Sequence, residues 1–113
     1  MKNYLFVYRA EYATMPTGTP EEMAAMTKRW IDWVTGIGAK NNLADRGNRL
    51  GNTGHVVRAN NVVTNGPYAE IKESIGGYSI VKTNSYEEAI ELAKSCPIFA
   101  QGGNVEVREI SEM

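Results

Sequence analysis

The chain is short of the residues that most metal sites, redox sites and macromolecular partners demand. It has one cysteine, Cys96, and one histidine, His55, so no disulfide can form within it. A single histidine with scattered acids does not make a zinc or iron site. Neither sign of charge dominates: twelve Lys and Arg stand against thirteen Asp and Glu, for a net charge of −1. That balance lacks the electrostatic footprint of a nucleic-acid binder or of a protein held on an anionic membrane. No apolar run approaches the ~20 residues of a membrane span. Five apolar residues, Tyr4 to Tyr8, precede Arg9, short of the roughly 7–15 of an export signal. Phosphate-binding loops and nucleophile elbows are missing as well. Together these gaps predict a cytoplasmic protein that uses no metal and no cofactor.

What is present suffices for one folded unit. A chain of 113 residues buries roughly 65% of its unfolded surface, enough for a core without staples. Tyr4 to Arg9, aromatic and branched, reads as a first strand. Thr19, Pro20 and Glu22 then form a strong helix start: an N-cap, a proline at the first helical position and a capping-box glutamate. Behind them Met23, Met26, Trp30, Val34 and Ile37 recur at three- and four-residue steps, with Trp33 widening the stripe. Lys40-Asn41-Asn42 marks the end of that helix. The next dozen residues are irregular. Val56 to Arg58 and Val62 to Thr64 flank Asn60-Asn61, a tight-hairpin signal. Gly76-Gly77 opens a further strand, Tyr78 to Lys82. Ser85 and Glu88 repeat the capping-box spacing before a second stripe, Ala89, Leu92, Ala93 and Cys96, which Pro97 stops. Val105 to Ile110 closes the chain as a strand with period-two alternation.

Two strand-to-capped-helix transitions predict a ferredoxin-like β-α-β-β-α-β fold of the α+β class, with an extra central hairpin and both helices on one face of a four-stranded sheet. The alternation of the first strand is read here with Leu5 and Val7 toward the helices and Tyr4, Phe6 and Tyr8 on the opposite face. Three aromatics left in water call for cover, and a homodimer packed sheet to sheet supplies it.

The densest run of chemical groups is Asn65-Gly66-Pro67-Tyr68-Ala69-Glu70-Ile71-Lys72-Glu73, followed by Gly76-Gly77-Tyr78. With Val63-Thr64 before it, this string resembles the T-D-G-P-F-A-E-x-K-E signature of the DGPF branch of the YCII-related family. The likeness continues through Glu88-Ala89 and Cys96-Pro97 to Val105–Arg108, and so covers essentially the whole chain. Asn65 replaces the family's aspartate and Tyr68 its phenylalanine. The resemblance implies a ferredoxin-like unit that pairs into a dimeric α+β barrel. It implies no fixed reaction: most DGPF members have none assigned, and many are encoded near extracytoplasmic-function sigma factors. A histidine–aspartate pair acting on small ring compounds elsewhere in the wider family has no counterpart here, because His55 does not match a family histidine.

These residues nominate a ligand site formed by Asn65, Tyr68, Glu70, Lys72 and Glu73, with Arg9 at the barrel mouth and His55 as further members. Each has a plainer reading. The glycines and Asn65 suit turns, the charged run suits a solvated surface, and His55 suits an exposed position. Asn65 cannot act as a general base, having no ionisable proton in range. Cys96 reads as a small buried hydrophobe. The leading expectation is a small-molecule-binding dimer. Behind it stand an isomerase- or lyase-type enzyme moving protons on a small cyclic or enolic acid, and a regulatory protein-interaction module linked to sigma-factor-dependent transcription.

Overall fold

The computed structural model describes residues 1–11, 18–66 and 74–112. Its elements run β1 (Lys2–Ala10), α1 (Pro20–Ala39), β2 (Leu43–Asp45), β3 (His55–Arg58), β4 (Val62–Asn65), β5 (Ser74–Thr83), α2 (Tyr86–Ala93) and β6 (Asn104–Glu109). Four strands form one antiparallel sheet in the order β2-β5-β1-β6, while β3 and β4 form a separate two-stranded ribbon. With the ribbon set aside, the topology is ferredoxin-like, as expected.

Both helices begin where the caps are. The Thr19 hydroxyl accepts the Glu22 N–H at 3.2 Å, and Pro20 opens α1. The Ser85 hydroxyl accepts the Glu88 N–H at 3.3 Å while the Glu88 carboxylate reaches back to the Asn84 N–H at 3.0 Å. These bonds satisfy backbone donors that a first helical turn otherwise leaves orphaned. The α1 stripe is buried only toward its C-terminal end. Ile37 is fully inside and Trp30 and Trp33 are half-buried, whereas Met23 is exposed.

The core lies between the helices and the face of the sheet that carries the β1 aromatics, which corrects the expected orientation. Tyr4, Phe6, Tyr8 and Ala10 are all buried. Tyr4 meets Tyr86 of α2 edge-on at 4.8 Å, Phe6 stacks on Trp33 at 6.3 Å, and Tyr8 meets Trp30 edge-on at 4.9 Å. Leu5, Val7 and Arg9 point the other way. Period-two alternation separates the two faces of a strand without saying which one meets the helices. Here the decision follows burial: tyrosines and tryptophans cover more apolar area than Leu and Val, and the helices bring three further rings to the same layer. The indoles also tie helix to helix. Trp33 Nε1 donates to the Leu92 carbonyl and the Ser95 hydroxyl at the end of α2, and Trp30 Nε1 to the Gln101 side chain.

The sheet's second strand comes from the stretch after α1, which carries no strand signal. Leu43-Ala44-Asp45 has little strand propensity, and β2 is held by its neighbour instead. Asn42 exchanges bonds with Lys82, its carbonyl accepting from the Lys82 N–H at 2.7 Å and its side chain donating to the Lys82 carbonyl at 2.9 Å. Farther along, the Tyr78 N–H donates to the Asn48 carbonyl and the Leu50 N–H to the Gly76 carbonyl. Gly77 and Gly47 allow this close approach. A Cβ on Gly77 would sit 2.8 Å from the Asn48 carbonyl oxygen. One on Gly47, at φ +73°, would overlap the backbone of Tyr78. Gly76 is the extra residue of a bulge, since Tyr8 faces Gly77 and Arg9 faces Ile75. The glycine pair therefore lies inside β5 as a packing device, not in a turn.

Candidate functional site

On the helix-free face of the sheet, β1 contributes Leu5, Val7 and Arg9. Direct cross-strand partners fill the same face: Tyr78 and Ile80 from β5 and Glu106 and Arg108 from β6. Half-buried Leu5 and Ile80, with buried Val7 beside them, are thus bordered by a charged cluster. Arg9 Nε donates to Glu106 Oε1 at 2.9 Å, and a terminal nitrogen of Arg108 lies 3.4 Å from Glu106 Oε2. The Arg9 hydrogen bond holds the Glu106 carboxyl below its ordinary pKa, against a smaller opposing effect of burial, and Arg108 adds to the lowering. Tyr78 accepts from the Asn48 amide through its hydroxyl at 3.3 Å. This corner therefore presents an ionised carboxylate, two guanidinium groups and a phenol beside apolar side chains, a combination suited to holding a small polar ring.

Two other candidates are brought together elsewhere. His55, first residue of β3, is the cross-strand partner of Asn65, last residue of β4, and both are exposed. Asn65 is a strand residue, and the positive φ of +82° belongs to Gly66, whose N–H bonds the Gly54 carbonyl. The tight hairpin is as expected, with Asn60 and Asn61 both at left-handed φ. Tyr68, Glu70, Lys72 and Glu73 lie outside the described residues. The chain leaves the His55–Asn65 pair at Gly66 and returns at Ser74, which faces Ala10 next to Arg9.

Glu106, Arg108 and Asn48 were missed as site residues. The alternation Val105-Glu106-Val107-Arg108 placed both charges on one face, but nothing in the sequence said that Arg9 would lie opposite. Cys96 is buried and its thiol is pushed up to about 12 by that burial, so it is no nucleophile. The Tyr8 hydroxyl donates to Ser79 at 2.8 Å, and Ser79 donates to the Arg46 carbonyl at 2.7 Å. That buried chain ties β1 and β5 to the segment after β2. A shallow open groove of about 350 Å³, lined by Asn42, Thr83, Glu87, Glu88, Glu91 and Leu92, lies beside α2, lined by none of the nominated residues. Among the described residues no group of three or more His, Cys, Asp or Glu is arranged to hold a metal ion, and no helix is long and apolar enough to cross a membrane.

The family model of the YCII-related domain matches residues 1–113. Among solved structures, 5-chloro-2-hydroxyhydroquinone dehydrochlorinase from Burkholderia phenoliruptrix, in complex with 2,5-dihydroxybenzoquinone, superposes with a TM-score of 0.51. The two are 12% identical, over 98% of this chain and 95% of that one, a likeness that shows the fold. No curated protein matches the chain.

Proposed function

The chain belongs to the YCII-related domain family, and from that premise we propose that it is a cytoplasmic, homodimeric protein that binds a small cyclic acid at the Arg9 corner of the helix-free sheet face. The observation that carries this reading is the Arg9–Glu106–Arg108 cluster beside Leu5, Val7, Tyr78 and Ile80. Arg9 has a planar fork of donors that matches a carboxylate or enolate, and its bond to Glu106 orients that fork. The aliphatic patch and Tyr78 supply the apolar wall that a ring needs. Tyr68, Glu70, Lys72 and Glu73 join the site in this reading, because the segment that carries them re-enters the sheet beside Arg9. The captured dihydroxybenzoquinone of the dehydrochlorinase supports planar oxygenated rings as the probe class. The string from Thr64 to Tyr78 supports membership of the DGPF branch.

A thermal-shift screen of small aromatic acids, cyclic acids and dihydroxyquinones tests it. A probe present at a hundred times its dissociation constant stabilises the fold by about 2.7 kcal/mol, a rise on the order of 10 °C for a chain of this size. Arg9→Ala and Glu70→Ala are expected to lower the affinity at least about tenfold. A stabilising probe to which both variants respond like the parent puts the site elsewhere.

A second reading, an isomerase- or lyase-type enzyme, is favoured by the same cluster. Glu106 is a carboxylate beside a cation able to stabilise an enolate; Arg9 lowers its basicity, so it serves as a base only where a bound ring draws Arg9 away from it. Turnover of a bound probe that Glu106→Gln abolishes, with binding retained, would select it over simple binding.

A further inference from the structure

The chain leaves the β3–β4 ribbon through the one asparagine that a glycine follows, Asn65-Gly66. Any asparagine holds its side-chain carbonyl carbon within ring-closing reach of the next residue's amide nitrogen. That fixed neighbourhood gives an intramolecular attack a large advantage over a bimolecular one. A side chain on the following residue hinders the approach, and glycine has none. The surroundings leave this site open as well. Asn65 is exposed, and a Cβ built on Gly66 would meet nothing within 4 Å. One bond restrains the nucleophile: the Gly66 N–H donates to the Gly54 carbonyl at 2.6 Å. It lies just beyond the last rung of the ribbon, the His55–Asn65 pair, and the ribbon stands apart from the four-stranded sheet. A lone two-stranded hairpin is marginal in water, and the frayed ends of such elements open at a free-energy cost near zero. Each opening releases the Gly66 nitrogen.

We propose that Asn65 is a self-modification site, where the side-chain amide is converted to a carboxylate without an enzyme. Solvent base removes the Gly66 amide proton, and the nitrogen's electron pair attacks Cγ of Asn65. The new C–N bond closes a succinimide ring as the Cγ–Nδ2 bond breaks and ammonia leaves. Water then opens the ring at either carbonyl, giving aspartate by one route and isoaspartate by the other. One water enters and one ammonia departs; nothing is oxidised or reduced. Both products add a negative charge opposite the His55 imidazole, at the about 4.5–5.5 Å Cβ spacing of cross-strand partners. Isoaspartate also carries the main chain through its own Cβ, which lengthens the backbone by one carbon at the end of β4. Exposure alone does not select the site. Asn84 is also exposed, but Ser85 follows it and carries a side chain, fixed as the cap of α2. None of this depends on a bound ligand or on a second copy of the chain.

Peptide mapping by mass spectrometry on the full chain, aged folded in mildly alkaline buffer, tests the site. The peptide that carries Asn65 is expected to give two products of different retention, each heavier by one mass unit. The peptide that carries Asn84 is expected to stay unchanged. Conversion is expected to slow in mildly acidic buffer, where less of the Gly66 nitrogen is deprotonated. On ion exchange the aged parent gains an acidic species. Asn65→Gln, which could close only a slower six-membered ring, is expected to lack it. A parallel sample unfolded in urea gives the rate of the unrestrained chain. Asn65 intact in the aged folded chain overturns the proposal, and conversion confined to the urea sample then identifies the Gly54 bond as the barrier. Earlier conversion at another asparagine, or an acidic species that persists in Asn65→Gln, overturns it too.

Discussion

At the residue scale, the Arg9–Glu106 pair is the feature with a measurable signature. The folded-state pKa of Glu106 is depressed, so its contribution to stability is fully present above the ordinary carboxylate value and is lost as pH falls through the lowered one. Both side chains are about one-third exposed, so solvent screening keeps the contribution below about 1 kcal/mol. Urea unfolding of parent and Glu106→Gln between pH 7 and pH 3 reads it directly. The parent is expected to be the more stable at pH 7, with the gap closing on acidification. A constant gap would mean that Glu106 acts through packing. The pair is half legible in the sequence: Arg9 stands out at the end of an aromatic strand, while Glu106 lies nearly a hundred residues away and only the sheet order brings it beside Arg9.

At the element scale, the two caps and the hairpin turn carried their positions into the structure, whereas α2 ends at Ala93, short of Pro97, and leaves Cys96 in extended backbone. Thr19-Pro20, Ser85-Glu88 and Asn60-Asn61 each act through bonds or dihedrals spanning four residues or fewer, so tertiary contacts had little opportunity to override them. The hairpin makes this testable. Asn60, at φ 63° and ψ 31°, occupies a region that costs a β-branched residue about 1–2 kcal/mol. Asn60→Val should lower stability by about that amount. Asn65→Asp, at the exposed end of β4, should change it by no more than about 0.5 kcal/mol. Paired urea titrations compare the two, and equal losses would show that the turn is not what defines the ribbon. β2 is the opposite case. Leu43-Ala44-Asp45 is a strand because Val81 and Ile80 pair with it, and because Gly47 and Gly77 let the following backbone lie close on β5; no local signal marks it.

At the scale of the whole molecule, the homodimeric reading ties stability to concentration. If two copies associate, the folded state gains from mass action. The melting temperature should then rise steadily as the chain is concentrated from about 1 to 100 μM. A flat dependence in calorimetry would overturn the homodimer.

The two helix starts with their caps, the first and last strands, the hairpin turn and the family were determined by the sequence alone, because each rests on short-range stereochemistry or on a contiguous motif. Which side of β1 became the core was decided only in three dimensions. An alternating strand is symmetric about its own axis until helices choose a side, and here Trp30, Trp33 and Tyr86 chose the side of Tyr4, Phe6 and Tyr8. That choice left Leu5, Val7 and Ile80 on the other face of the sheet. It also turned Arg9 toward Glu106 and Arg108, side chains that only the pairing of the first strand with the last could bring beside it.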